Sequence, residues 1–529
     1  MNKKVFLGSL FILALSLTAC GQSAGGGSDA FAFNDSELNT AQEIHTKDQK
    51  AFLDYRKNDS TKSYYKITSA ELNSFNAKGN TNVSTPNAVK LNWTYSGKKV
   101  DHFSVVFGQK ADLSDGYEVD GTDKPTISIY NSFLGDNYFK VVANFANGKK
   151  EESPIKVFKV DATCPRNLKV GNMPNCRDMG GRTTEAGGKI KQGLIYRTSG
   201  SKFDNSTASN AEAKKVLLNQ FKVKTEINVA NSDTNNVDLK NGVTLQNCYM
   251  AYGSVPYSNL ARNSVRIRQI MDILSEEKNY PVFYHCRIGT DRTGITGVMI
   301  GGLLGIPFEE ILQDYLFSNF APIDNQRYPG KTPDSNGDDI CKYIDELLAL
   351  PGSNFQEKTY LALRMIGVPA AKLDNIINIM TEGKKATIPN SAKIGEGDGL
   401  TTDGTKKTST NYKEPASYCA LANGKKASFQ TTTEAGKKNV ILYLGYTGTI
   451  STSTKTKLAD SLTLKIDGEE KAIQNTKNLW EAGFGSTQQD GRIGYMFNNL
   501  GEYDFTAGQH TVEIVSKDST FNVASINIA

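Results

Sequence analysis

The sequence is poor in the residues that build disulfide scaffolds and metal centres. Seven cysteines in 529 residues are too few for a disulfide-stapled fold. Four histidines, His45, His102, His285 and His510, argue against a histidine-rich metal site, so no metal and no cofactor are expected. Charge of one sign is also lacking. Lys+Arg 61 against Asp+Glu 56 leaves a net +5, far from the basic balance of a nucleic-acid binder, and no nucleic-acid partner is expected. A single long apolar run, at the N-terminus, excludes a multi-span membrane protein. Hydrophobic content of 38% with 22% charged residues is low but foldable, which excludes wholesale disorder. Glycine is plentiful at 47, and tyrosine (23) nearly matches phenylalanine (24), a composition suited to β-rich extracellular modules. At about 150 residues per domain, the length implies roughly three to four domains.

The first residues, Met1-Asn2-Lys3-Lys4, precede an apolar run over 5–17 and then Thr18-Ala19-Cys20. A basic start, an apolar stretch too short to span a bilayer and small residues at a cut site predict a secretory signal over 1–20. Its ending resembles a bacterial lipobox, which implies that the Cys20 thiol is lipidated and becomes the mature N-terminus. Two or three acyl chains would hold the protein on the extracellular face of a bacterial membrane. Residues 21–65 read as a Gly/Ser-rich tether followed by a weakly helical segment.

Over 66–160, runs such as Val89-Lys90-Leu91-Asn92-Trp93 and Phe103-Ser104-Val105-Val106-Phe107 alternate at sandwich spacing. This segment resembles a fibronectin type III module, which implies a spacer or docking unit with Trp93 in its core and Tyr138 at a tyrosine corner. Over 161–383 strands and helices intermix: strands at 223–229 and 281–284, helices at 211–221, 265–274, 293–304, 308–318, 340–348, 355–365 and 370–380. That order predicts an α/β domain whose central sheet is flanked by helices. Residues 384–414, rich in Gly, Thr, Lys and Ser, read as a linker. Residues 415–529 are again β-patterned, and their end resembles the last strands of galactose-binding-like jelly rolls, a fold shared by many carbohydrate-binding modules. The expected fold is therefore multidomain, an α/β domain between two all-β sandwiches. Trp480, Phe484 and Tyr495 are candidates either for stacking on a glycan or for core packing.

The chemistry lies in Tyr284-His285-Cys286-Arg287-Ile288-Gly289-Thr290-Asp291-Arg292-Thr293-Gly294, after an apolar strand and before an apolar helix. A loop there aims backbone N–H groups of Ile288, Gly289, Thr290 and their neighbours at one point, a ready site for a tetrahedral anion. The helix N-terminus and Arg292 should hold Cys286 as a thiolate, a nucleophile toward phosphorus. Arg292 can fork onto two phosphate oxygens. Thr293 can donate to the sulfur, His285 can orient the loop and support the thiolate, and Gly289 permits unusual backbone angles.

This Cys-x5-Arg-Thr-Gly loop resembles the signature of cysteine-dependent phosphatases of the tyrosine phosphatase superfamily. Asn175-Cys176-Arg177-Asp178-Met179-Gly180-Gly181 matches the Asn-Phe-Arg-Asp-x-Gly-Gly start of a bacterial branch acting on phosphotyrosine and phosphoinositides. Gly193-Leu194-Ile195-Tyr196-Arg197-Thr198-Ser199 and Asp314-Tyr315-Leu316-Phe317-Ser318 fit further segments. Two departures stand out: Cys176 replaces Phe, and Asn228-Val229-Ala230 replaces Asp-Leu-Arg. The resemblance implies a phosphorylated protein, lipid or inositol substrate, with Arg177 and Asp178 either lining the site or forming a structural ion pair.

No Trp-Pro-Asp loop exists, since Trp93 and Trp480 lie outside the domain and 239–271 hold neither Asp nor Glu. The branch carries its general acid one residue before the Arg, here Asp291; a carboxyl beside bound phosphate is favoured in its protonated form. Asp233 and Asp238 are the alternatives. Thr290 stands where many phosphoinositide-directed relatives have Lys; Arg287 either restores that cation or points into the protein. The remaining cysteines are expected to be buried and inert, with Cys176 or Cys248 the candidates for a redox partner of Cys286. The rival readings are a phytase-like inositol polyphosphatase and a non-catalytic adhesin that binds phosphate or glycan.

Overall fold

The computed structural model describes residues 27–200, 208–230, 236–250, 259–329, 340–388, 392–396, 399–410, 412, 414–484, 494–517 and 521–529. The segment read as a signal, with Cys20, and the fallback acid Asp233 lie outside these. Two compact units divide the chain, one built from residues up to Thr40, Lys90–Ser128 and Asp136–Lys159, the other from Ala41–Val89, Ile129–Gly135 and Val160–Ala529. The segment 66–89, expected with the first sandwich, thus groups with the second unit.

In the first unit the strands Tyr117–Asp120, His102–Gly108, Gly135–Asn144 and Lys150–Glu152 pair in that order, with Lys156–Val160 also on Gly135–Asn144. Val89–Asn92 pairs with Thr126–Ile129. Period-two alternation buries Val89 and Leu91 and exposes Lys90 and Asn92. Trp93 is buried, edge-on to Phe103 at 5.3 Å, a core residue as expected. Tyr138 is half-buried, on the opposite side of its strand from buried Asn137 and Phe139.

The second unit holds a six-stranded sheet. Its strands are β1 (Arg166–Asn167), β2 (Arg177–Asp178), β3 (Ile195–Ser199), β4 (Thr225–Asn228), β5 (Thr244–Asn247) and β6 (Val282–Cys286). The order is β1-β2-β3-β6-β4-β5. The last four are parallel, and β6 lies between β3 and β4. A parallel strand with neighbours on both sides and helices on the faces is wholly buried, which is why β6 begins with the apolar run Val282-Phe283-Tyr284 and its His285 is paired with Glu226. Helices α1 (Asn259–Leu274), α2 (Asp291–Leu304), α3 (Phe308–Phe317), α4 (Ile340–Leu348), α5 (Phe355–Met365) and α6 (Ala370–Met380) accompany it. All residues of α2 are buried. Gly305, with φ of +73°, ends it in the left-handed conformation that suits glycine.

Residues 384–414, read as a linker, contain three strands, Lys393–Glu396, Thr401–Thr402 and Thr405–Thr408. Short polar edge strands leave little apolar periodicity to detect. They join a sandwich of two antiparallel sheets. In the strand Gly436–Tyr446, Val440, Leu442 and Leu444 enter the core between the sheets, whereas Ile441 and Tyr443 join the core of the α/β half. Tyr443 hydrogen-bonds to Ser264 on α1, and Ser525 Oγ donates to the carbonyl of Met365 on α5 at 3.2 Å. Both faces of that strand are covered, so its apolar run does not alternate. Phe484 and Tyr495 are core residues: Phe484 packs on Phe521, and Tyr495 on Tyr443. Trp480 is half-buried.

Candidate active site

The loop between β6 and α2 lies at the carboxyl end of the parallel strands, where open α/β sheets gather their ligands. Cys286 ends β6 and is 1% exposed. Its backbone N–H donates to Thr293 Oγ1 at 2.9 Å. Burial pushes the thiol up. The charge of Arg292 and hydrogen bonds from the Thr293 hydroxyl and backbone N–H outweigh this and hold it below the ordinary thiol value. Three other thiols of this domain lack such partners in strength. Burial pushes Cys164, Cys176 and Cys248 up to about 12, so of these four thiols Cys286 is the one whose thiolate is favoured.

The loop backbone is held from outside. Asn175 Nδ2 donates to the carbonyls of Ile288 (3.3 Å) and Gly289 (3.0 Å), and Arg197 Nη2 to that of Gly289 (3.0 Å). A planar trans peptide points its N–H opposite to its C=O. Fixing these carbonyls outward turns the N–H groups of Gly289 and Thr290 the other way, into the loop. Gly289 has φ of +72°, and a Cβ there would lie 2.6 Å from the carbonyl oxygen of Thr198 on β3, so only glycine fits. Thr290 is the N-cap of α2 and makes no side-chain capping bond; the first-turn N–H groups are left to an anion.

Beneath the loop lies Asp314 of α3. It takes Arg177 Nε (3.1 Å), Arg182 Nη2 (3.2 Å) and Arg197 Nη1, all three arginines 1% exposed. Burial pushes the Asp314 carboxyl up, but the charges of Arg177, Arg197 and Arg182 outweigh it and hold it well below the usual carboxylate range. Three guanidiniums face Asp314 and, through Arg182 Nε at 3.9 Å, Glu310, which leaves net positive charge under the loop.

Several expected site residues serve elsewhere. Arg177 and Asp178 do not line the site: Arg177 binds Asp314 and Asn175 Oδ1, and Asp178 pairs with Arg166 at 2.8 Å and accepts from the N–H groups of Gly180 and Gly193. Burial demands such pairing. His285 approaches the carbonyl of Cys286 at 3.4 Å through Nδ1, not the sulfur, and Glu226 at 3.0 Å through Nε2. Ile288 packs with Ala321 and Ile323, so it offers only its backbone. Arg287 forms an exposed ion pair with Asp324. Asp291 lies at the first turn of α2, its two oxygens forked by Arg327 Nε (2.9 Å) and Nη2 (3.1 Å). Asp238 pairs with Lys240 on the surface. Asn228, standing in for the relatives' Asp, ties its own turn by accepting from Ala230 N at 2.7 Å and donating to Asn236 at 2.5 Å.

Glu226, Arg182 and Arg327 carry no local sequence signal and were not anticipated. Asn175, Arg197 and Asp314 stood within recognised segments, but their roles follow only from the fold.

A model described as the tyrosine phosphatase family matches residues 168–382, so this stretch is a phosphatase domain of the tyrosine-phosphatase-like kind. No curated protein matches the chain by sequence. Among solved structures, the core catalytic domain of the PP-IP phosphatase SIW14 from S. cerevisiae is 23% identical, with 24% of this chain and 72% of that chain covered and a TM-score of 0.20. A family 35 carbohydrate binding module from an environmental isolate is 14% identical, covering 26% and 92%, with a TM-score of 0.20. The Podospora anserina GH26-CBM35 β-(1,4)-mannanase is 12% identical, covering 27% of this chain and only 28% of its own, with a TM-score of 0.18. Structural likenesses this weak carry no argument about function.

Proposed function

We propose that residues 161–383 hydrolyse phosphomonoesters through a phosphocysteine on Cys286. The observation that carries this is the Cys286 thiol, held below its ordinary value at the mouth of a loop whose carbonyls are fixed outward. Cys286 Sγ attacks phosphorus in line, and the bond from phosphorus to the alcohol oxygen breaks. Arg292 and the loop N–H groups stabilise the equatorial oxygens. Asp291 protonates the departing alcohol. Water then attacks the phosphocysteine, Asp291 takes its proton, and inorganic phosphate leaves as the thiolate re-forms against the Thr293 hydroxyl.

The substrate class is phosphotyrosine or phosphoinositide. The Arg287–Asp324 ion pair favours substrates with one bound phosphate, because the cation beside the loop is already engaged. The chain is further proposed to sit lipid-anchored through Cys20 on the outer face of a bacterial membrane, with the fibronectin-like unit as a spacer and a glycan as ligand of the C-terminal sandwich. Loss of membrane association in Cys20→Ala tests the anchor, and a blank glycan array would remove the glycan.

The decisive assay sets purified protein against p-nitrophenyl phosphate, phosphotyrosine peptide, phosphoinositides and phytate, with Cys286→Ser alongside. Turnover lost in Cys286→Ser is expected. No turnover on any substrate sinks the enzyme reading, and unchanged turnover in Cys286→Ser sinks the mechanism.

A further inference from the structure

Asp291 is held by a device assembled far from it in sequence. Arg327 Nε donates to Oδ1 at 2.9 Å and Nη2 to Oδ2 at 3.1 Å, while Tyr315 Oη lies 3.4 Å from Oδ1. The side chains of Arg327 and Asp291 are 5% and 10% exposed. A carboxylate has about four acceptor positions, two per oxygen. Among the described residues, Oδ1 meets both Arg327 and Tyr315, whereas Oδ2 meets the guanidinium alone. The plane of the carboxyl is therefore set, and the open position is on Oδ2.

Arg327 is itself preset. Its backbone N–H donates to Asn319 Oδ1, and its carbonyl accepts from Asn319 Nδ2, both at 2.7 Å. Its Nη1 donates to the carbonyl of Asn325 at 2.5 Å. The turn carrying it is strapped by the segment before the phosphatase domain. Gly79 N–H donates to the Asn319 carbonyl at 2.7 Å, Val83 N–H to that of Phe320 at 2.8 Å, and Ile323 N–H to that of Gly79 at 2.9 Å. Such bracing on every side is what a constrained proton donor requires.

We propose that Arg327 is a positioning residue for the proton transfer, orienting the Asp291 carboxyl so that Oδ2 faces the leaving oxygen. The inference rests on Asp291 being the general acid. A planar fork onto both oxygens fixes a carboxyl's rotation, which a lysine's single ammonium cannot do. The charge is thus insufficient and the fork is required.

The test is the dependence of kcat/KM on leaving group, from p-nitrophenyl phosphate to alkyl phosphates, in the full chain. Asp291→Asn should cost about a hundredfold or more on alkyl phosphates and far less on p-nitrophenyl phosphate, which leaves without a proton. Arg327→Gln and Arg327→Lys should both show the same leaving-group bias, about tenfold or more on alkyl phosphates. Combining Asp291→Asn with Arg327→Gln should add no further loss, as expected for groups acting as a unit. Inorganic phosphate binding, measured by calorimetry, should persist in both Arg327 variants and shows that the loop is folded. If Asp291→Asn shows no leaving-group bias, the acid assignment fails. If it does, but the Arg327 variants lose activity equally on all substrates, lose phosphate binding, or are rescued by lysine, the positioning role fails alone.

Discussion

Asn175 donates from its side-chain amide to the carbonyl of Gly289 at 3.0 Å, a contact between residues 114 apart in the chain. The start of the domain thereby sets the peptide orientation at the centre of the loop that follows Cys286.

Replacing Asn175 by Ala should leave two loop carbonyls without this donor and strip Arg177 of one acceptor. Each buried unmet polar group costs about 1–3 kcal/mol. The expected outcome is a large fall in kcat/KM together with a lower midpoint in urea, read by steady-state kinetics and denaturant titration.

Gly289→Ala should be worse for activity than for folding. The added Cβ meets the Thr198 backbone at 2.6–2.7 Å in a left-handed conformation, and the loop must move to relieve it. Phosphate affinity and turnover should both collapse while far-UV circular dichroism is retained. A fully active variant would contradict the close approach.

The Cys286 thiol should react with iodoacetamide at a lower pH than an ordinary thiol does, because Arg292 and Thr293 favour its thiolate. In Arg292→Ala the inflection of inactivation rate against pH should move up. An inflection unmoved by that change would remove Arg292 from the account.

Asp314→Asn leaves three buried guanidiniums facing a neutral amide. Breaking a buried ion cluster from one side costs about 3–5 kcal/mol, read from urea unfolding. Because the folded carboxyl lies below its unfolded value, the gap to the parent protein should be full above the unfolded pKa of about 3.9 and shrink as pH falls below it. A gap that widened toward acid would contradict the sign.

Removing residues 384–529 should not yield a tidy phosphatase. Ile441, Tyr443, Tyr495 and Ala524 belong to the same core as α1 and α5. The truncated chain exposes that core, and it should aggregate or unfold at a markedly lower temperature. Calorimetry of the full chain should show the two parts of this unit melting together.

The strand, loop and first helical turn around Cys286 were legible in the sequence because they are contiguous: one apolar run, one glycine, one Cys-x5-Arg spacing. The buried helices were legible from their periodicity. The short polar strands within 384–414 were not, because edge strands carry little hydrophobic signal. The covering of both faces of Gly436–Tyr446 was not either, because an apolar run records burial without saying what buries it.

The sequence by itself picked out the proposed nucleophile, the arginine beside it and the conformational freedom at Gly289, since their chemistry depends on neighbours a few residues away. Tertiary structure decided what holds them. Asp314 gathers arginines from as far as 137 residues away, and Arg327 reaches Asp291 across 36. It also moved Arg177 and Asp178 from the site to its frame. Charged side chains taken out of water must find partners wherever the packed chain places them, and no local pattern states which partner that will be.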